Sequence, residues 1–183
     1  RSARAVALDD GSTLAYDALL LATGSRARRV EVPGADLPGI FTLRTAADVD
    51  AIRAEAHPGR RAVIIGGGYI GLEAAAVLRE LGLEVTVLEL ADRVMNRVVC
   101  EPVSRFFEAE HAHHGVRIAL RAGLAAFLGD TRVRAVRCSD GSEHPADLVI
   151  VGVGVAPVDE LARDAGLACS NGIVVDEYCR TSD

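Results

Sequence analysis

Along this chain the hydrophobic residues gather in short unbroken runs instead of alternating with polar ones. The runs at 18–22, 62–65 and 148–153 are the clearest. An apolar run without alternation is what a parallel strand covered on both faces requires. Between the second and third runs, Leu72 to Leu81 is rich in Ala and Leu, both strong helix formers, and Gly82 fits a C-terminal cap. Residues 61–90 therefore read as strand, Gly-rich turn, helix, strand. A short helix is expected from Asp159 to Asp164.

The pattern repeats. Residues 4–24 align without gaps on residues 134–154, with Arg4, Ala5, Val6, Asp10, Gly11, Ser12, Asp17 and Gly24 identical to their counterparts 130 positions on. Each copy reads as a strand, an Asp-Gly turn, a short return strand and a buried apolar strand ending in Gly. Gly takes positive φ in such a turn without a Cβ clash. Two hairpins can also share turn chemistry by chance. The second copy is preceded by a complete strand–helix–strand unit; only Arg1, Ser2 and Ala3 stand before the first. If the copies are equivalent, the chain opens midway through one nucleotide-binding domain and contains a second one whole, and a longer parent protein is expected.

Composition narrows the class. Of 183 residues, 50% are hydrophobic and 25% charged, the balance of a globular protein with a real core. No apolar stretch reaches the ~18 residues of a membrane span, and the first residues carry no secretory signal pattern. A net charge of −6 and an aromatic content of 4% argue against nucleic acid, which calls for a cationic surplus and stacking platforms. The expectation is a cytoplasmic, mildly acidic α/β protein with neither membrane nor nucleic-acid partner.

Cys100, Cys138, Cys169 and Cys179 show no C-x-x-C or C-x-x-x-x-C spacing, so neither a dithiol redox site nor zinc is expected from them. They read as reduced thiols, mostly buried. His111 and His114 stand three apart near an expected helix end. Metal ligation is conceivable there, but an imidazolium facing the negative end of a helix dipole is the plainer account, and no third ligand is near. No metal is expected.

The most specific chemistry is Gly66-x-Gly68-x-x-Gly71, which includes Gly67, Tyr69 and Ile70. It lies between strand and helix, with Glu89 23 residues after Gly66. In a dinucleotide-binding unit the first Gly makes the tight turn, the second admits the pyrophosphate, and the third allows close helix–strand packing. The helix N-terminus then offers free N–H groups to the phosphates. A carboxylate at position 89 would accept hydrogen bonds from the adenosine ribose and repel a 2′-phosphate, favouring NAD(H) over NADP(H). Arg93 and Arg97 could hold a 2′-phosphate or be plain surface charge, and Arg97 could instead meet the pyrophosphate. Glu73, read in the first helical turn, either complements the helix dipole or binds the nicotinamide carboxamide. Gly152, Val153 and Gly154 end an apolar strand where an open sheet binds ligand.

These residues resemble the FAD-dependent pyridine-nucleotide reductases, and within them the ferredoxin/rubredoxin reductase group, over essentially the whole chain. The stretches YDALLLATGS, FTLRTAADVDAIR, AVIIGGGYIGLEAAAVL, RVMNRVVCEPVSRFFEAEH, ADLVIVGVGVAPVDELARDAGL and NGIVVDEYCRTSD carry the resemblance in this order. It implies a Rossmann-like, three-layer ββα FAD/NAD(P)-binding fold with an antiparallel three-stranded insertion around 122–146. It implies NADH and FAD as cofactors, hydride transfer from NADH to FAD, and electron delivery to a ferredoxin or rubredoxin. By the same resemblance Gly66 to Glu73, Glu89, Val153 and Gly154 would line NADH, Thr23 and Gly24 would lie near FAD, and Arg44 would contact it. Glu73 would be the one chemical participant, orienting the nicotinamide. Remaining parts of the FAD site would lie before Arg1 and after Asp183.

The expected division is 1–45 as a remnant of the FAD-binding domain, 46–168 as the NAD-binding domain and 169–183 as a return segment. Two other readings stand beside this one: an NADH oxidase, nitrite-reductase-type or disulfide reductase of the same superfamily, or an NAD(H)-sensing module without turnover. With little to cover the apolar run at Leu19 to Ala22, self-association through that strand is expected.

Overall fold

The computed structural model describes residues 3–183, which form two compact units, one spanning Ala27–Gly154 and the other joining residues 3–26 to 155–183. In the smaller unit, β1 (Ala5–Ala7) and β2 (Thr13–Ala15) make an antiparallel hairpin, and β3 (Ser25–Ala27) leads out of it.

The larger unit then runs β4 (Ile40–Thr42), α1 (Ala46–Glu55), β5 (Arg61–Ile65), α2 (Tyr69–Glu80), β6 (Glu84–Glu89), α3 (Glu101–His113) and β7 (Arg117–Leu120). A meander of β8 (Leu124–Leu128), β9 (Ala135–Cys138) and β10 (Glu143–Pro145) follows, and then β11 (Leu148–Val151). The chain ends in the smaller unit with β12 (Val155–Pro157), α4 (Glu160–Asp164), β13 (Cys169–Ser170) and β14 (Gly172–Ile173).

Five strands of the larger unit form one parallel sheet in the order β4-β11-β5-β6-β7. Its outer strand, β4, lies before residue 46. Alternate strand residues point to opposite faces, and both faces are covered. On one side Ala62, Ile64, Val85, Val87, Leu148 and Ile150 pack with Ile52 of α1 and Ala74, Ala75 and Leu78 of α2. On the other, Val63, Ile65, Leu88, Val149 and Val151 pack with Phe127, Val136 and Cys138 of the antiparallel sheet β8-β9-β10 and with Val133 of the β8–β9 connection. The result is the three-layer ββα arrangement, with the antiparallel insertion where the sequence places it. It also explains why the strands read as unbroken apolar runs: neither face meets water.

α1 opens with a reciprocal cap, Thr45 accepting from the Asp48 N–H while the Asp48 carboxylate accepts from the Thr45 N–H at 2.8 Å. α2 stops where Gly82 N–H donates to the Arg79 carbonyl and Leu83 N–H to the Leu78 carbonyl, the paired bonds of a Schellman ending. α3 starts with Pro in its first turn, where a missing N–H costs nothing.

The repeat is structural as well as sequential in its hairpins. Val6 faces Leu14 in the first and Val136 faces His144 in the second, the same register 130 residues apart. In each, an Asp carboxylate accepts the N–H of the Ser two residues on, Asp10 at 2.8 Å and Asp140 at 2.9 Å. Gly11 and Gly141 have φ of 82° and 86°. The copies part after Asp17 and Asp147. Leu148–Val151 is held between β4 and β5 and is buried. Residues 19–22, by contrast, form no strand, and Leu20 is 81% exposed. Strand structure needs ladder partners, and sequence similarity does not supply them.

The cysteines correct one expectation. Cys138 is buried and Cys169 partly so, but Cys100 and Cys179 are exposed. Both sit at turns in the chain path, Cys100 capping α3 and Cys179 in a left-handed turn, where apolar character does not decide burial. Among the described residues no helix is long and apolar enough to cross a membrane.

Candidate functional site

The carboxyl ends of β5 and β11 meet at a point built from glycine. Gly66 leaves β5 with φ of 104°, and a Cβ there would lie 2.6 Å from the Gly152 carbonyl oxygen. Gly152 N–H donates to the Ile65 carbonyl at 2.8 Å, and Gly66 N–H donates to the Leu88 carbonyl at 2.8 Å. This is where the sheet reverses its order: from β5 the chain crosses to β6 and β7 on one side, while β11 and β4 lie on the other. Such a reversal opens a crevice outside the strand ends.

α2 begins in that crevice. Gly68 is its N-cap and makes no side-chain capping bond, so the first-turn N–H groups face outward without a competing side chain. A Cβ on Gly68 would meet nothing within 4 Å, which leaves that side of the loop open to a ligand. A Cβ on Gly71 would stand 2.0 Å from the Gly66 carbonyl oxygen, so only Gly lets the helix lie this close to the turn. The loop therefore fits a pyrophosphate in shape and in polarity. Tyr69 and Ile70 occupy the first turn and are exposed.

Because α2 starts at Tyr69, three residues earlier than its Ala/Leu composition suggests, Glu73 is its fifth residue and lies past the first turn. The reading of Glu73 as a first-turn partner of the helix dipole is corrected accordingly, since that effect fades within a turn. Its carboxylate is on the exposed face of α2.

Glu89 ends β6 and is fixed from both sides. Its Oε2 accepts the Gly67 N–H at 2.7 Å and its Oε1 accepts the Ala91 N–H at 2.8 Å. Each carboxylate oxygen keeps a further lone pair, so the group can brace the loop and still accept a hydroxyl. On the other side of the same residue, the Gly67 carbonyl accepts the Met95 N–H at 2.9 Å. Met95 holds φ of 50°, uncommon for a side chain with a Cβ, and is kept there by burial with Leu72 and Val94.

The two arginines after Glu89 differ. The Arg93 guanidinium is spent on the Val99 and Asn96 carbonyls and the Ser104 hydroxyl, at 2.9, 2.8 and 2.7 Å. Arg97 is exposed. Val153 packs on the buried face beneath the crevice, and Gly154 follows it with open space at its Cβ position. In the smaller unit the Thr23 hydroxyl donates to the Val158 carbonyl, and the Gly24 carbonyl accepts the Val158 N–H at 3.0 Å. Arg44 is exposed beside the α1 cap, its N–H donating to the Asp48 carboxylate at 3.0 Å. The structure thus gathers Gly66, Gly67, Gly68, Gly71, Glu89, Val153 and Gly154 at one sheet edge within the larger unit.

Sequence reasoning missed Met95 and Ser104. A buried Ser on a helix face beside Phe107 was the one available signal, and a left-handed Met has none. Away from the crevice, the His114 ring lies 3.1 Å from Glu110, and burial pushes the His111 imidazole down from its ordinary value.

The family model described as "Pyridine nucleotide-disulphide oxidoreductase" matches residues 1–183. The ferredoxin–NAD(+) reductase component of the biphenyl dioxygenase system of Paraburkholderia xenovorans (strain LB400) is 48% identical over 179 residues, covering 98% of this chain and 44% of the relative. The crystal structure of a ferredoxin reductase for the CYP199A2 system from Rhodopseudomonas palustris superposes with a TM-score of 0.95 at 43% identity, covering all of this chain and 45% of that one. Putidaredoxin reductase in its covalent complex with putidaredoxin gives 0.92 at 44% identity, again over 100% of this chain and 45% of that one. The chain spans less than half the length of these relatives.

Proposed function

Because the chain belongs to the pyridine nucleotide-disulphide oxidoreductase family, we propose that it is the NADH-binding part of a flavoprotein reductase. In this reading hydride passes from NADH to FAD, and electrons then pass to a ferredoxin- or rubredoxin-type iron–sulfur protein in the cytoplasm. The observation that carries the reading is the glycine-built crevice at the β5–β11 reversal, with Glu89 bracing its loop.

Residues 46–168 would bind the dinucleotide, with Ile40–Thr42 completing their sheet, and 1–45 and 169–183 would serve the flavin-binding part. Gly66, Gly67, Gly68 and Gly71 would cradle the pyrophosphate with the first-turn N–H groups of α2. Glu89 would accept the adenosine ribose hydroxyls and disfavour a 2′-phosphate by charge. Arg97, exposed on the following loop, would neutralise phosphate. Tyr69, Ile70, Val153 and Gly154 would flank the nicotinamide half. Glu73 would orient the carboxamide by accepting its N–H.

This chain's contribution to FAD would be Thr23, Gly24 and Arg44. They fit that role in kind: Gly24 has no side chain to bar a close approach, and Arg44 presents an exposed cation for phosphate. When bound, the cofactors supply the redox chemistry, and the protein positions and tunes them. No nucleophile or general base is required of this chain.

Calorimetric titration with NADH and, separately, NADPH tests the reading. Binding of NADH with NADPH about tenfold weaker or more supports it. Preference for NADPH overturns the role of Glu89, and binding of neither overturns the dinucleotide site itself. In the longer protein, flavin bleaching by NADH followed by reduction of an iron–sulfur acceptor tests the electron path.

A further inference from the structure

Ser104 is 0% exposed on the inner face of α3, a position where packing alone would favour an apolar side chain. Its hydroxyl is fully engaged. It donates to the Val94 carbonyl at 2.7 Å and accepts from Nη1 of Arg93 at 2.7 Å. One turn along, Glu108 accepts the Val94 N–H at 3.1 Å and pairs with Arg105 at 2.8 Å. α3 therefore holds both sides of Val94 and the guanidinium beside it. The next residue, Met95, holds the Gly67 carbonyl.

Arg93 stands four residues after Glu89. A guanidinium on this loop is the natural ligand of a 2′-phosphate, given its fork of donors. Here the fork is turned inward, onto one hydroxyl and two carbonyls. Reaching a phosphate would break those bonds and strand Ser104 and the Val99 and Asn96 carbonyls, a loss that offsets much of the gain. Glu89 excludes a 2′-phosphate by charge. The Ser104–Arg93 contact adds a second discrimination by removing the cation that could compensate.

We propose that Ser104 is a specificity-determining residue that acts through Arg93: by holding the guanidinium against the 96–99 turn, it keeps the site selective for NAD(H) over NADP(H). The proposal rests on the dinucleotide-binding reading given above.

The test is a set of titrations of the whole chain with NADH and NADPH, comparing the ratio of the two affinities. Ser104→Ala is expected to move the ratio toward NADPH by roughly fivefold, as the guanidinium, left with only the Val99 and Asn96 carbonyls, turns more readily to a charge-assisted bond with phosphate. The gain is expected to vanish in Ser104→Ala/Arg93→Met. A purely structural role would weaken both ligands together and leave the ratio unchanged, which overturns the proposal. Should Ser104→Ala fail to fold, Arg93→Met alone decides. An unchanged ratio is expected if the guanidinium is sequestered, and a selective loss of NADPH affinity overturns the idea. If the unaltered chain binds neither dinucleotide, the underlying reading fails and the proposal with it. A shift confined to the Ser104 variant leaves that reading intact.

Discussion

The Glu89 carboxylate accepts the backbone N–H of Gly67 at 2.7 Å, so the acid read as a ribose ligand is also the brace of the phosphate-binding turn. One side chain carries both duties because a carboxylate has more acceptor sites than two N–H groups fill. Glu89→Gln keeps the shape but turns one acceptor into a donor facing a backbone N–H. We expect a loss of about 1–2 kcal/mol in stability and roughly tenfold in NADH affinity, read by chemical denaturation and titration. Retention of both would show that the brace is dispensable.

Gly71 and Gly68 differ in what a methyl group would meet. At Gly71 the neighbour is the Gly66 carbonyl at 2.0 Å, a backbone atom that cannot rotate away. Gly71→Ala should cost about 3 kcal/mol, at the upper end of overpacking effects. At Gly68 nothing lies within 4 Å. Gly68→Ala should therefore leave the unfolding midpoint within about 0.5 kcal/mol of the parent while lowering NADH affinity, because the methyl stands where the pyrophosphate approaches. Equal stability losses at the two positions would contradict this assignment.

At the amino ends of β5 and β11, Arg61 forms a forked pair with Asp147, with bonds of 3.0 and 2.8 Å, and its N–H adds a third at 2.9 Å. The Arg61 bonds hold the Asp147 carboxyl down at about 2. A carboxyl whose pKa is lower folded than unfolded stabilises the protein above the unfolded value and loses that contribution as pH falls through the folded one. Stability should thus decline between about pH 4 and pH 2. Asp147 contributes about 1 kcal/mol of this after solvent screening, since its side chain is 32% exposed. Asp147→Asn should flatten that part of the profile when unfolding is followed against pH.

Leu20 is 81% exposed beside half-exposed Leu19, in a run whose counterpart in the second copy is a central strand. An uncovered apolar segment with unpaired backbone invites association with a second copy. Sedimentation of this chain should show concentration-dependent dimers, and Leu20→Lys should reduce them. A single monomeric species at high concentration for the parent would count against it.

How much of this was legible beforehand follows from the range of the forces involved. The Asp-Gly hairpins could be read, down to their common register, because Asp10 with Ser12 and Asp140 with Ser142 settle each turn within two residues. The strand–turn–helix–strand unit could be read because glycine spacing and doubly covered strands leave marks in the sequence itself. The start of α2 was displaced, because Gly71 sits inside the helix to allow contact with Gly66, although glycine is a poor helix former by propensity.

Sequence by itself determined the layers, the crevice and the acid at its rim, since these depend on local turn chemistry and on which positions avoid water. Only the tertiary structure decided which of two similar arginines is available, why Met95 is left-handed, and that Leu148–Val151 is a strand while residues 19–22 are not. Each of those outcomes depends on a partner distant in sequence or on a neighbouring strand, and a hydrogen bond or a ladder has no existence until both halves are in place.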